Sequence, residues 1–141
     1  MSRKSTVIAA TESKKTIQFA DIAALALGAP LEGGTFAGIV TLKYGAHVVV
    51  VLLTDKPAQR MKWADAKAWA KSVDGVLPTP SAAAMLFANA KDQIEAAWHW
   101  TSEAYGGSYA WFQDFDDGNQ GTGHVGLNYC ARAVRMIPLV P

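Results

Sequence analysis

The segment His47-Val48-Val49-Val50-Val51-Leu52-Leu53 constrains this chain more than any other. A β-branched run of this length is too short for an ordinary helix and favours a strand. No polar residue alternates with the apolar ones, so neither face of that strand can meet water. It has to lie inside a sheet that is covered on both sides. Residues 35–43 have strand composition too, and Tyr44-Gly45 separates them from residues 46–53 as a turn, which predicts a tight β-hairpin.

Helical periodicity then supplies candidate cover. Trp63, Ala66, Trp69, Ala70 and Val73 recur at spacings of three and four, predicting a helix over residues 62–73 that stops at Asp74-Gly75. A second helix is expected to start with Thr79 as N-cap and Pro80 in the first helical position, with Ala82, Met85, Leu86 and Ala90 as its apolar stripe. From Trp98 the period shifts toward two, predicting strands over residues 98–102, 109–115 and 129–135. Gly106-Gly107, Asp117-Gly118 and the Gly121/Gly123 stretch are expected as turns. Strands, then two helices, then an antiparallel sheet make an α+β domain, and 141 residues suit one domain.

The expected organisation is an N-terminal arm over residues 1–30, a domain over 31–135 and an apolar tail over 136–141. The arm is polar through residue 18 and carries a short helical segment near 21–27 that Gly28 and Pro30 close. The tail, Met-Ile-Pro-Leu-Val-Pro, is too sticky for water and is expected to cover the domain's own surface or a neighbour's.

Several chemistries are disfavoured at once. With 13 basic and 12 acidic residues the formal charge is +1, and Arg3-Lys4 and Lys14-Lys15 are isolated pairs, so no nucleic-acid partner is expected. Cys130 stands alone, which rules out an intrachain disulfide and a Cys-based zinc site; it is read as a small buried hydrophobe rather than a nucleophile. His47, His99 and His124 are too scattered for a metal-ligand pattern, so no metal or cofactor is expected. The Asp114-to-Asn119 segment fails the calcium-loop spacing, because Gly118 takes a liganding position and Val125 stands where the bidentate glutamate belongs. Ser102 and Ser108 lack the strand–turn–helix setting of a hydrolase nucleophile, so no catalytic residue is expected. Glu12 and Lys14 interrupt any apolar leader, and residues 20–30 and 48–53 are too short to span a bilayer. Synthesis in the cytoplasm without a signal peptide or membrane insertion is the corresponding expectation.

Trp98, Trp100 and Trp111 are read as core anchors, each able to bury on the order of 200 Å². Strand parity puts Trp98 with Trp100 on one face, and Trp111 with Gln113 and Phe115 on one face. Arg132 points inward if Cys130 and Val134 do, and Glu103 is the expected carboxylate partner. Tyr105 and Tyr109, beside Gly106-Gly107-Ser108, are the better candidates for exposed stacking platforms. The expected ligand face is Tyr105, Ser108, Tyr109, Asn119, Gln120, His124 and Asn128, which mixes aromatic platforms with adaptable hydrogen-bonding groups.

Five elements occur in a recognisable order. They are Trp63-Ala64-Asp65-Ala66; Leu77-Pro78-Thr79; Trp98-His99-Trp100-Thr101-Ser102-Glu103; Tyr109-Ala110-Trp111-Phe112-Gln113-Asp114-Phe115 with Gly118; and Arg132-Ala133-Val134-Arg135. Over residues 60–135, with residues 36–54 as a looser match to a preceding hairpin, the chain resembles the Lcl C-terminal domain family. That is a lectin-type group named for a collagen-like adhesin and frequent in bacteriophage genomes. The resemblance implies a C-type-lectin-like fold, display of side chains from the final strands and loops, and no catalytic residues. Met61 and Lys62 depart from the pattern as poor caps, which predicts a frayed first helical turn, and His99 is a second departure. The formylglycine-generating oxidases share this fold class but use a pair of cysteines, which one cysteine does not provide.

The expected function is therefore a non-enzymatic bacteriophage structural protein on the tail or head surface of the virion. Its partners would be copies of itself, other virion proteins, and a host-surface glycan or protein. A soluble carbohydrate-binding lectin and a capsid decoration or cement protein without ligand binding are the alternatives.

Overall fold

A computed structural model describes residues 16–141, so the polar arm expected at the N-terminus lies almost wholly outside the described residues. The chain forms a five-stranded sheet in the order β1-β8-β4-β3-β2 and a three-stranded sheet in the order β5-β6-β7.

The predicted hairpin is strands β3 (Gly34–Thr41) and β4 (His47–Leu53). Its loop closes through Leu42 N–H to Ala46 O at 2.7 Å, and Tyr44 and Gly45 take φ of 69° and 86°. Every residue of β4 from Val48 onward is at most 4 % exposed, as the unbroken apolar run requires. Two layers bury it. Val49, Val51 and Leu53 pack with Ala66 and Ala70 of helix α2 (Trp63–Ser72) and with Trp100. Val50 and Leu52 pack with Ala82, Leu86 and Ala90 of helix α3 (Pro80–Ala90).

The far side of β4 overturns the reading of residues 136–141 as a tail. Strand β8 (Val134–Val140) runs antiparallel to β4, from Val48↔Pro138 to Leu52↔Val134, and parallel to β1 (Ile17–Gln18). The apolar tail is an inner strand, so the boundary at residue 135 falls within it. Proline argues against a central strand because it cannot donate to the ladder. Here Pro138 faces Val48, the last pair of the β4 ladder, where the loss is least disruptive. The N-terminal boundary also moves: Ile17 and Ile22 are buried, and the short helix is α1 (Phe19–Ile22), earlier than expected. Strand β2 (Pro30–Leu31) closes the other edge.

The strand expected over residues 129–135 becomes regular only at Val134. Before that, Tyr129 exchanges both backbone bonds with Met61, at 2.9 and 3.1 Å, and Cys130 bonds Trp98 O and Trp100 N at 3.0 and 3.1 Å. This segment stitches the second sheet to the start of α2 before crossing to the first sheet. It also explains why α2 is anchored despite Lys62 making no side-chain cap: Trp63 N–H donates to Val125 O at 3.2 Å. At the other end Asp74, with φ of 65°, takes the left-handed position and Gly75 N–H closes onto Ala70 O at 2.9 Å. Helix α3 starts as predicted, with Thr79 Oγ1 accepting from Ala82 N–H at 3.2 Å.

The second sheet comprises β5 (Trp98–Gly106), β6 (Tyr109–Asp114) and β7 (Gln120–His124). Strand β7 replaces the turns expected at Gly121 and Gly123. Those glycines leave room for rings: a Cβ on Gly121 would sit 2.9 Å from Phe112 Cζ, and one on Gly123 would collide with the Tyr129 hydroxyl oxygen. Asp117-Gly118 is the expected turn, with Asp117 Oδ1 accepting from Asn119 N–H at 2.8 Å.

The expected Arg132–Glu103 pair does not form. Arg132 is 6 % exposed, and its Nη1 and Nη2 donate to the backbone oxygens of Gln93 and Leu53 at 2.7 and 2.9 Å. Glu103 lies exposed further along β5. The carbonyls of Gln93 and Leu53, the last residues of two separate elements, converge on Arg132, so the guanidinium there satisfies backbone rather than a side-chain carboxylate.

Candidate functional site

Register decides which side chains share a face of the second sheet. Tyr109 faces His124, Trp111 faces Thr122 and Gln113 faces Gln120 across β6 and β7, while His99 faces Gln113 across β5 and β6. Two extra residues on β5 between the Trp100↔Phe112 and Ala104↔Ala110 pairs preserve parity, so Glu103 and Tyr105 belong to the Trp111 face. Trp98, Trp100, Ala110 and Phe112 belong to the other face, where Trp98 and Trp100 both contact the Tyr129 ring.

The Trp111 face is half covered. At one end His99, Thr101 and Gln113 are buried, and Phe115 packs edge-on against His99 with ring centroids 4.9 Å apart. Beyond the N-terminus of α3 the cover stops. Tyr105 is 60 % exposed and meets the half-buried Trp111 edge-on at 5.4 Å; Tyr109 meets His124 edge-on at 5.7 Å. This open half adjoins a groove of about 710 Å³ between the Tyr44 hairpin tip, the start of α3 at Thr79–Ser81, and Glu103, Trp111 and Gln120. Tyr44 is fully exposed at its rim.

The expected ligand residues therefore divide. Tyr105, Tyr109 and His124 come together on the open half, with Ser108 in the adjoining turn, where its carbonyl accepts from Val125 N–H at 2.8 Å. Gln120 lines the groove, but its Nε2 is committed to Pro80 O at 2.6 Å and Gln113 Oε1 at 2.8 Å. That amide holds α3 to the sheet and offers only its oxygen. Asn119 sits in the turn at the other end of the β6–β7 ladder, tied to Asp117. Asn128 lines a separate hollow beside Trp98, Asp114 and Tyr129, away from the aromatic face. Bulk and its place in the family pattern assign Trp111 to the core, and Tyr44 reads as a plain turn residue, yet both border the groove. Parity groups Trp111 with Gln113, but where α3 stops covering that face depends on helix placement.

Burial pushes the Cys130 thiol pKa up, and the neighbouring Glu95 carboxylate adds to the effect, so the thiol stays protonated at neutral pH. Among the described residues no group of three His, Cys, Asp or Glu side chains is placed to hold a metal ion, and no helix is long and apolar enough to cross a membrane.

His99 carries a measurable pH dependence. It is 4 % exposed, and its Nδ1 donates to Ala97 O at 2.9 Å, which leaves Nε2 as an acceptor. Burial lowers its pKa from 6.5 to about 4, with the Ala97 bond opposing and the Arg132 charge assisting. The unfolded chain takes up this proton at higher pH than the folded one. The stabilisation is therefore complete above pH 6.5 and is lost as the pH falls toward 4. Each tenfold change in proton affinity is worth about 1.4 kcal/mol, so the loss is on the order of 3 kcal/mol. Denaturant titrations from about pH 7 to 4 should show wild type losing more stability than His99→Gln, which keeps a donor for Ala97 and no titration. Parallel curves would show that the ring is not held neutral by its surroundings.

Compared with known proteins, the chain matches no protein-family model and no curated protein.

Proposed function

We propose that this chain is a non-enzymatic binding domain of the C-type-lectin-like fold that presents its open aromatic face to a carbohydrate. The observation that carries the reading is the uncovered half of the second sheet. Tyr105, Tyr109 and Trp111 stand there beside a groove with polar groups at Glu103, Gln120 and Thr79. Aromatic faces suit the C–H faces of sugars, and the polar rim suits their hydroxyls. The order of hairpin, two helices and antiparallel sheet accords with what the family resemblance implies. Placement on a bacteriophage tail or head surface is part of the proposal and rests on that resemblance. Contact with a neighbouring virion subunit is the second reading, favoured by the full exposure of Tyr44 at the groove's rim.

Glycan-array binding followed by calorimetry tests the choice. Tyr109→Ala and Trp111→Ala should each weaken sugar binding roughly tenfold or more, since losing one stacking aromatic forfeits about 1–3 kcal/mol, while far-UV circular dichroism stays unchanged. If no glycan binds, and light scattering shows a multimer that Tyr44→Ala dissociates, the face joins subunits instead.

A further inference from the structure

Arg132 poses a question that its structural role leaves open. Its guanidinium has five N–H donors, and the Gln93 and Leu53 carbonyls each take one. The Nε–H, buried with the rest of the residue, has no partner among the described residues. A buried donor on a charged group is costly to leave unmatched. Arg132 also lines a cavity of about 390 Å³ at the end of β4 remote from the Tyr44 tip, together with Lys56, Arg60, Glu95, His99 and Cys130. That volume lies in the range of small-molecule sites.

The charges around the cavity are unequal. Lys56, Arg60 and Arg132 face it, against the single carboxylate of Glu95. Glu95 is already engaged, with Oε2 on Arg60 Nη2 at 2.8 Å and Oε1 3.7 Å from Cys130 Sγ. Asp55, outside the lining, also acts on Arg132 electrostatically, and a positive charge is still left over. His99 adds no charge in its neutral form, and its Nδ1–H is committed to Ala97.

We infer that this cavity binds an oxyanion, the carboxylate or phosphate group of a small molecule, with Arg132 at its base and Lys56 at its mouth. A guanidinium presents parallel N–H bonds that match the two oxygens of either group, whereas a chloride ion is a single acceptor atom and lacks that two-point match. Contact with Nε requires the guanidinium to shift toward the cavity it already lines. The site lies apart from the aromatic groove, so it stands whether or not that groove binds sugar.

The test is a titration of the full chain, labelled with ¹⁵N, using sodium phosphate, sodium acetate and sodium chloride at matched ionic strength, while following the arginine Nε–H resonances. A buried Nε–H exchanges slowly and gives its own peak, which Arg132→Lys identifies by its loss. The expected result is a saturable shift of that peak with phosphate, acetate or both, and none with chloride. Lys56 is exposed, and among the described residues its side chain makes no hydrogen bond, so Lys56→Glu should fold normally and weaken binding several-fold. Arg132→Lys, followed by the backbone amide peaks of Ala131 and Ala133 because its Nε–H peak is gone, should bind roughly tenfold more weakly, in line with one lost charge-assisted bond. Saturation by phosphate alone or by acetate alone upholds the site and names its oxyanion. Shifts that are linear, equal in chloride, or indifferent to Lys56→Glu overturn it. The Lys56 variant keeps the titration decisive even if Arg132→Lys fails to fold.

Discussion

A chain ended at Arg135 is expected to lose its cooperative unfolding transition altogether. Removing residues 136–141 takes out five of the seven residues of β8, the strand between β1 and β4, and with them three of its five pairs with β4 and all of its pairing with β1. It also removes Ile137, which is buried in the core cluster of β4 and α2, along with the partly buried Met136 and Leu139. At about 1.5–3 kcal/mol for each well-buried apolar side chain, the burial lost is roughly 5 kcal/mol before any ladder bond is counted. That is comparable with the whole stability of an ordinary domain, about 5–15 kcal/mol. Thermal melting followed by circular dichroism is sufficient. A truncated chain with a sharp transition within a few degrees of the full chain would mean that residues 136–141 are an appendage rather than an inner strand.

The second large effect is expected at Trp100. Its ring is fully buried in the main core, tilted against Tyr129 with centroids 4.3 Å apart, and its Nε1 donates to Met61 O at 2.9 Å. Trp100→Ala opens a cavity at the junction of α2 and both sheets and removes one of the two hydrogen bonds that carbonyl accepts, the other coming from Tyr129 N–H, so a loss of about 3–5 kcal/mol is expected. Trp98→Ala is the matched control. Trp98 lies on the same face and stacks on Phe112 at 4.2 Å, but it is 44 % exposed. Truncation there should lose only about 1–2 kcal/mol, the value of its two partly exposed ring contacts, with Phe112 and Tyr129. Urea denaturation of both variants measures the difference. Equal losses would show that strand parity, rather than depth, sets the energetics of this face.

The local signals that survived are those whose meaning depends on few neighbours. The unbroken valine run required cover on two faces, and both α2 and α3 supply it. Thr79-Pro80 started a helix because a hydroxyl and a preset φ act within one turn of their own position. Tyr105 and Tyr109 were exposed, as residues beside a Gly-Gly turn tend to be. Arg132 was legible as buried, but its partners were not. Its acceptors are carbonyls 39 and 79 positions away in sequence, and every residue has a carbonyl, so no residue type marks them. Strand β7 was hidden for a related reason: Gly121 and Gly123 look like turn residues until the Phe112 and Tyr129 rings lie over them.

The candidate site divides along the same line. Residue type and parity by themselves determined that the second half forms an aromatic, two-faced sheet, and that Tyr105 and Tyr109 stand at its open end. Only the tertiary structure decided that Trp111 belongs to the open half, that Asn119 and Asn128 lie elsewhere, and that residues 136–140 belong to the core sheet. Side-chain alternation along a strand is a local property of the backbone and can be read from sequence. Which face is covered, and which strand pairs with β4, depend on how α3 and β8 pack, and those contacts join residues dozens of positions apart.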